Sequence, residues 1–193
     1  MVSRSTMKEV IAALRKIGIR EARASRLVGQ YKLGNLLVEG PGYQEHKGEH
    51  TSIEGMTSRI RSYLVPRGRS VEARSQLDRA ARREAQILTR LGEHRHILRC
   101  TDLKPDAPLG PALLFEAFEG GEPLDAFIRR QPELSFDDRL EILHQLADAL
   151  NYCHRSHVLH RNLSPSAVLV RKKDGEQIET KLHCFQLAMQ QEG

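Results

Sequence analysis

The most informative stretch of the chain runs His154-x5-His160-Arg161-Asn162-Leu163-Ser164-Pro165-Ser166-Ala167-Val168-Leu169-Val170. It sets ring nitrogens, a guanidinium, an amide and two hydroxyls just ahead of an apolar run. His154, His157 and His160 have helical spacing, and His46 and His50 form a His-x3-His pair; zinc uses such spacings. No nearby cysteine or carboxylate pattern completes either set, so no metal centre is expected. Ser164 has no neighbouring base to activate it and reads as a loop residue. Cys184 could be a reactive thiol, but a small semi-buried filler is the commoner role. Glu84 falls within the apolar stripe Leu77, Ala81, Leu88, Leu91 of a helix. A buried carboxylate there needs a partner, because an unpaired buried charge is costly; otherwise it sits at the stripe's wet edge.

At 193 residues one domain is the default, with room for a small second region. A hydrophobic fraction of 39% suffices for a core, built mainly from aliphatic residues because Trp is absent and aromatics total 5%. The longest apolar run, Ala112-Leu113-Leu114-Phe115, is far short of the roughly 18 residues that span a bilayer. Met1 to Arg20 lacks the continuous apolar segment of a secretion signal. Cys100, Cys153 and Cys184 are odd in number and widely spaced, which fits a reducing cytoplasm better than a disulfide framework. A net charge of +5 favours acidic partners and leaves weak nucleic-acid binding open. The Arg clusters at 59–69 and 79–83 are more cheaply explained as solvated helix and loop faces.

The elements that must position these residues follow from periodicity and punctuation. Thr6-x-x-Glu9 has capping-box form ahead of Val10, Ile11, Leu14 and Ile17, so a short helix is expected up to Gly18. Strands are expected at Tyr31–Leu37, at the unusually polar Gln44–His50, and at Arg59–Val65, which Pro66 ends. Ser70 caps a long helix to about Leu91, with Gly92 at its end. Two strands follow near Ile97–Leu103 and Ala112–Ala117, then a short helix at Leu124–Arg130. Ser135 caps another helix to about His154, whose expected apolar face is Leu140, Leu143, Leu146, Ala147, Leu150 and Cys153. A hairpin at Val168–Val170 and Thr180–His183 turns through Asp174-Gly175. Strands opening a domain and helices following it indicate an α+β architecture.

In this order the segments resemble the protein kinase fold over about Gly29 to Met189. Tyr31 to Gly48 resembles its first two strands and glycine loop. Arg83 to Leu88 and His94 to Leu98 resemble its third helix and the link to strand four. Leu113 to Glu116 resembles the hinge, Leu143 to Val170 the long helix and catalytic loop, and Lys181 to Ala188 the metal-binding turn. A closer likeness, carried by Glu39-Gly40-Pro41-Gly42-Tyr43-Gln44 and Arg61-Ser62-Tyr63-Leu64-Val65, is to the kinase-like region of bacteriophage-exclusion proteins.

The resemblance implies a phosphoryl-transfer site with its reactive groups exchanged. Asn162 stands where the catalytic carboxylate would be, and an amide takes up no proton at neutral pH. Ser164 replaces the catalytic-loop lysine; Ala167 and Cys184 replace the metal-binding asparagine and aspartate. Tyr63 replaces the strand-three lysine, which leaves Glu84 without its cation; a Tyr63–Glu84 hydrogen bond is the expected substitute. In the nucleotide pocket Gly40 and Gly42 belong to the glycine loop, Glu45 and Arg61 to the positions covering adenine, and Leu169 to the floor beneath it. His160, Arg161, Phe185 and Leu88 match structural residues. The expected organisation is a linker helix at 1–28, a smaller lobe at 29–117 and the start of a larger lobe at 118–193. The expected function is that of a pseudokinase with a regulatory or scaffolding role, without cofactor, in a chain whose larger lobe is completed by further sequence or covered by a protein partner. The alternative is an active Ser/Thr kinase that uses ATP and Mg²⁺ through displaced residues such as Lys47.

Overall fold

The computed structural model describes residues 26–40, 42–65, 71–172 and 177–191. The expected N-terminal helix, the Ser70 cap and the Asp174-Gly175 turn lie outside these residues. The chain opens with β1 (Leu27–Val28), β2 (Tyr31–Gly40), β3 (Tyr43–His50) and β4 (Thr57–Tyr63), and continues with α1 (Val71–Leu91). Next come β5 (Cys100–Lys104) and β6 (Ala112–Phe115), which complete an antiparallel six-stranded sheet in the order β1-β2-β3-β4-β6-β5. The fifth strand begins later than its apolar run suggests. Ile97 and Leu98 instead tie this sheet to the hairpin below, through Leu98 N to Leu182 O at 2.9 Å and Leu182 N to His96 O at 2.8 Å.

The polar sequence of β3 forms a strand because of its neighbours. Its register sets Glu45 opposite Arg61 on β4, so a charge that would disfavour burial meets its opposite across the ladder. Along β4, side chains alternate between faces. Ile60 points into a cluster with Val28, Leu33, Ala112 and Leu114. Tyr63 joins the main core on the other side, with Leu88 and Leu91 of α1 and Phe115 of β6.

The lower part contains β7 (Glu122–Pro123), α2 (Leu124–Arg130), α3 (Phe136–Arg155), β8 (Val158–Leu159), β9 (Val168–Arg171), β10 (Glu179–Leu182) and β11 (Met189–Gln190). Strands β9 and β10 pair antiparallel, as the sequence predicts, and β7 flanks β9. Ser135 caps α3, its side chain accepting from Asp138 N. The buried face of α3 matches the expected one only in part, with Cys153 buried and Leu146 and Leu150 packed against the core. Ile142, Gln145, Ala149 and Cys153 point inward, whereas Leu140 and Leu143 are exposed. Gln145 explains the rotation: its amide donates to Ile178 O at 2.8 Å and accepts from Thr180 N at 2.7 Å, satisfying backbone groups of the hairpin.

Candidate functional site in the cleft

The inner cleft is built on the alternate residues Arg59, Arg61 and Tyr63 of β4. Tyr63 Oη donates to Glu84 Oε2, the expected hydrogen bond. Glu84, however, does not lack a cation. Arg61 Nη1 donates to its other oxygen at 2.7 Å, and both side chains are fully enclosed. The strand-three cation has moved two residues back along β4, one full pleat, which keeps it on the same face. Arg61 is therefore no cover for a purine ring. Its Nε and Nη2 reach Glu45 Oε1 at 2.7 and 2.5 Å, and Arg59 Nε takes Glu45 Oε2 at 2.5 Å.

The same guanidinium crosses to the lower part of the molecule. Arg61 Nη2 lies 2.9 Å from His183 Nδ1 and 3.3 Å from Cys184 Sγ. With the Gln186 amide oriented by its network, its oxygen accepts from Arg61 Nη1 at 3.0 Å and its nitrogen donates to Cys184 O at 2.9 Å. The Arg61 carbon Cζ sits 5.1 Å from the Tyr43 ring centre and 5.3 Å from that of Phe115. Burial of these charges is offset only because nearly every donor and acceptor is used. Arg59 Nη2 is the exception, without a partner among the described residues.

The electrostatics follow from these contacts. Burial opposes ionisation of Glu45, but Arg61 and Arg59 outweigh it and hold the carboxyl well below its usual range. Burial likewise opposes the Arg61 charge, and Glu84 and Glu45 restore it. Burial, then Glu84, push the Tyr63 phenol upward, so it remains a donor. For His183, burial opposes the charged ring while Cys184 and Glu45 favour it. The contacts are those of the neutral ring: Nε2 lies 2.9 Å from Ser166 O, and Nδ1, 3.6 Å from Glu45 Oε1, lies closer to the Arg61 guanidinium, at 2.9 Å, which can only donate. A neutral ring with its proton on Nε2 satisfies both contacts.

The catalytic-loop equivalents have no such network. Asn162 Nδ2 is 3.4 Å from Cys184 O, Ser164 Oγ meets Ser166 Oγ at 3.0 Å, and Ala167 is buried. Arg161 takes up φ 58°, and its Nη1 lies 3.5 Å from Met189 Sδ rather than against an acid. The His160 and Phe185 rings meet edge to face at 4.6 Å, and Leu88 and Leu169 lie in the same buried cluster as Phe185. Gly40 ends β2 and Gly42 precedes β3. A Cβ on Gly40 would collide with the Tyr43 ring at 2.3 Å. That ring leans inward, bringing its hydroxyl 3.9 Å from Cys184 Sγ. Lys47 is held by Glu119 at 3.3 Å at the outer end, beside a cavity of 300 Å³.

Neither histidine set suggested by spacing assembles a metal site. Among the described residues, the one group with ligand atoms close enough is Glu45, His183 and Cys184, all buried. His183 went unnoticed in sequence, as did the pairing roles of Glu45 and Arg59. A period-two run of Arg59, Arg61 and Tyr63 was the available signal; which acids faced it depended on strand register.

Residues 64–193 match the protein kinase domain family model. The chain is 33% identical over 166 residues to "Probable kinase PglW" of Streptomyces coelicolor, covering 84% of this chain and 10% of that protein. It is 29% identical over 128 residues to "CDPK-related kinase 7" of Arabidopsis thaliana, covering 66% of this chain and 21% of the relative. It is 32% identical over 107 residues to "Ribosomal protein S6 kinase alpha-2" of Homo sapiens, covering 55% of this chain and 14% of the relative. The chain thus spans a small part of each relative's length. With a twisted antiparallel sheet, a buried Glu84 on α1 and a His160–Phe185 contact beneath them, this chain belongs to the protein kinase domain family.

Proposed function

We propose that this module keeps the cradle of a protein kinase without transferring phosphate, and serves as a regulatory or scaffolding part of a larger assembly. The observation that carries this reading is the pairing of a filled inner cleft with an unarmed catalytic loop. Arg61, Glu45 and His183 are fully enclosed between the sheet and the β9–β10 hairpin. Asn162, Ala167 and Cys184 bring no carboxylate to the loop or turn, and Mg²⁺ wants hard oxygen ligands. A phosphoryl group would find neither a base nor a metal to neutralise its developing charge.

A role in bacterial phage defence is part of the same proposal. It rests on the motifs Glu39 to Gln44 and Arg61 to Val65, and on the likeness to PglW. The exposed Phe136, Leu140 and Leu143 of α3 support a surface covered by further chain or by a partner. No helix among the described residues is long and apolar enough to cross a membrane.

The names of the relatives favour the competing reading, an active Ser/Thr kinase. Isothermal titration with ATP, with and without Mg²⁺, separates the two. No heat and no ADP release are expected; Mg²⁺-dependent binding with ADP release would establish the enzyme instead.

A further inference from the structure

Loss of catalysis does not by itself decide what occupies the cleft, since an inactive domain can still bind a cation or a nucleotide. Three buried ligand atoms, from Glu45, His183 and Cys184, lie within 4.8 Å of one another. Such a set ordinarily suits a divalent metal. Here the Arg61 guanidinium already stands at their meeting point: Nη2 is 2.5 Å from Glu45 Oε1, 2.9 Å from His183 Nδ1 and 3.3 Å from Cys184 Sγ. We propose that this is a cation site between the two halves of the domain, that Arg61 is its resident cation, and that it holds the halves together without metal or nucleotide.

The surrounding contacts leave no place for a metal ion beside the Arg61 and Arg59 guanidinium groups. Glu84 divides its oxygens between Arg61 and Tyr63, and Glu45 divides its own between Arg61 and Arg59. His183 is fixed by its Nε2 contact to Ser166 O, which aims Nδ1 at Arg61. A metal ion would have to expel the guanidinium into a cleft closed over it. The acids come from β3 and α1, and the histidine and cysteine from the turn after β10, so one side chain joins three segments far apart in sequence. Arg fits this role better than Lys because its planar fork meets several acceptors at once.

The test uses the whole chain and Co²⁺ as a spectroscopic probe. Wild type is expected to give no thiolate-to-cobalt absorption band and no change in Tm with Zn²⁺. Arg61→Ala should melt well below wild type and regain part of that loss in millimolar guanidinium, which should not raise the wild-type Tm. It should also acquire the cobalt band, and Arg61→Ala combined with Cys184→Ala should lose it. If Arg61→Ala does not fold, ¹⁵N NMR of wild type decides: the Arg61 Nε–H should exchange far more slowly than that of exposed Arg83, with or without MgATP. A cobalt band in wild type, no guanidinium gain in folded Arg61→Ala, or Arg61 exchange as fast as Arg83 would each overturn the proposal. None of these results depends on phosphoryl transfer, so they fail or succeed apart from the non-catalytic reading.

Discussion

Strand β4 and the catalytic-loop segment both depart from the kinase pattern, yet with opposite structural results. On β4, the missing strand-three lysine is compensated within two residues: Arg61 supplies the charge to Glu84, and Tyr63 supplies a hydrogen bond. In the loop, Asn162, Ser164 and Ala167 make weak or local contacts that rebuild nothing. The difference separates two demands once met by the same site. Holding α1 against the sheet is mechanical and can be satisfied by any cation with suitable geometry. Moving a proton and holding Mg²⁺ require a carboxylate base and hard metal ligands, which the side chains of Asn162 and of Ala167 and Cys184, respectively, do not bring.

The largest expected effect is on the β4 side. Arg61→Met should destabilise the fold by about 3–5 kcal/mol, because it leaves buried Glu84 without a cation and Glu45 with Arg59 alone, as denaturant unfolding would measure. A loss near that of a surface substitution would show the network to be dispensable. Acid should act on the same pair more gradually. The folded-state pKa of Glu45 is lowered, so its contribution is present above its ordinary value of 4.5 and is lost as pH falls toward the lowered value. Glu45→Gln should flatten that part of the Tm–pH curve, and an unchanged slope would place the acid sensitivity elsewhere.

Tyr63→Phe should cost about 1–2 kcal/mol, by leaving one Glu84 oxygen short of a donor. An unchanged Tm would mean that Arg61 alone satisfies Glu84. Lys47→Ala should change stability by no more than about 1 kcal/mol, since its pair with Glu119 is largely solvent-exposed. Asn162→Asp sharpens the comparison from the loop side. Its effect on stability should stay within about 0.5 kcal/mol, and radiolabelled ATP should show no transfer, because Ala167 and Cys184 still lack metal ligands. Transfer restored by that one substitution would make Asn162 the sole lesion.

Much of the scaffold was legible. The apolar stripe of α1 left Glu84 open between burial and the wet edge, the kinase resemblance favoured burial, where it lies, and Ser135 marked the start of α3. The runs Val168–Val170 and Thr180–His183 on either side of Asp174-Gly175 gave the hairpin pairing. Other features were misleading for identifiable reasons. Leu140 and Leu143 suggest a buried face by periodicity, but a buried glutamine that satisfies hairpin backbone rotates α3 so that these two are exposed while Leu146, Leu150 and Cys153 stay against the core. The strand at β3 was expected despite its polarity; what its sequence did not show is that Glu45 is neutralised across the ladder rather than by sequence neighbours.

Sequence alone determined the order of elements, the kinase-like framework and the presence of an amide, Asn162, in the loop after α3. These are properties of residue type and local period. Only the tertiary structure decided that Arg61, rather than Tyr63, carries the charge for Glu84, and that Glu45 and His183 share it. The reason is geometric: an ion pair is fixed by register, helix placement and desolvation, and its partners here lie 16, 23 and 122 residues apart along the chain.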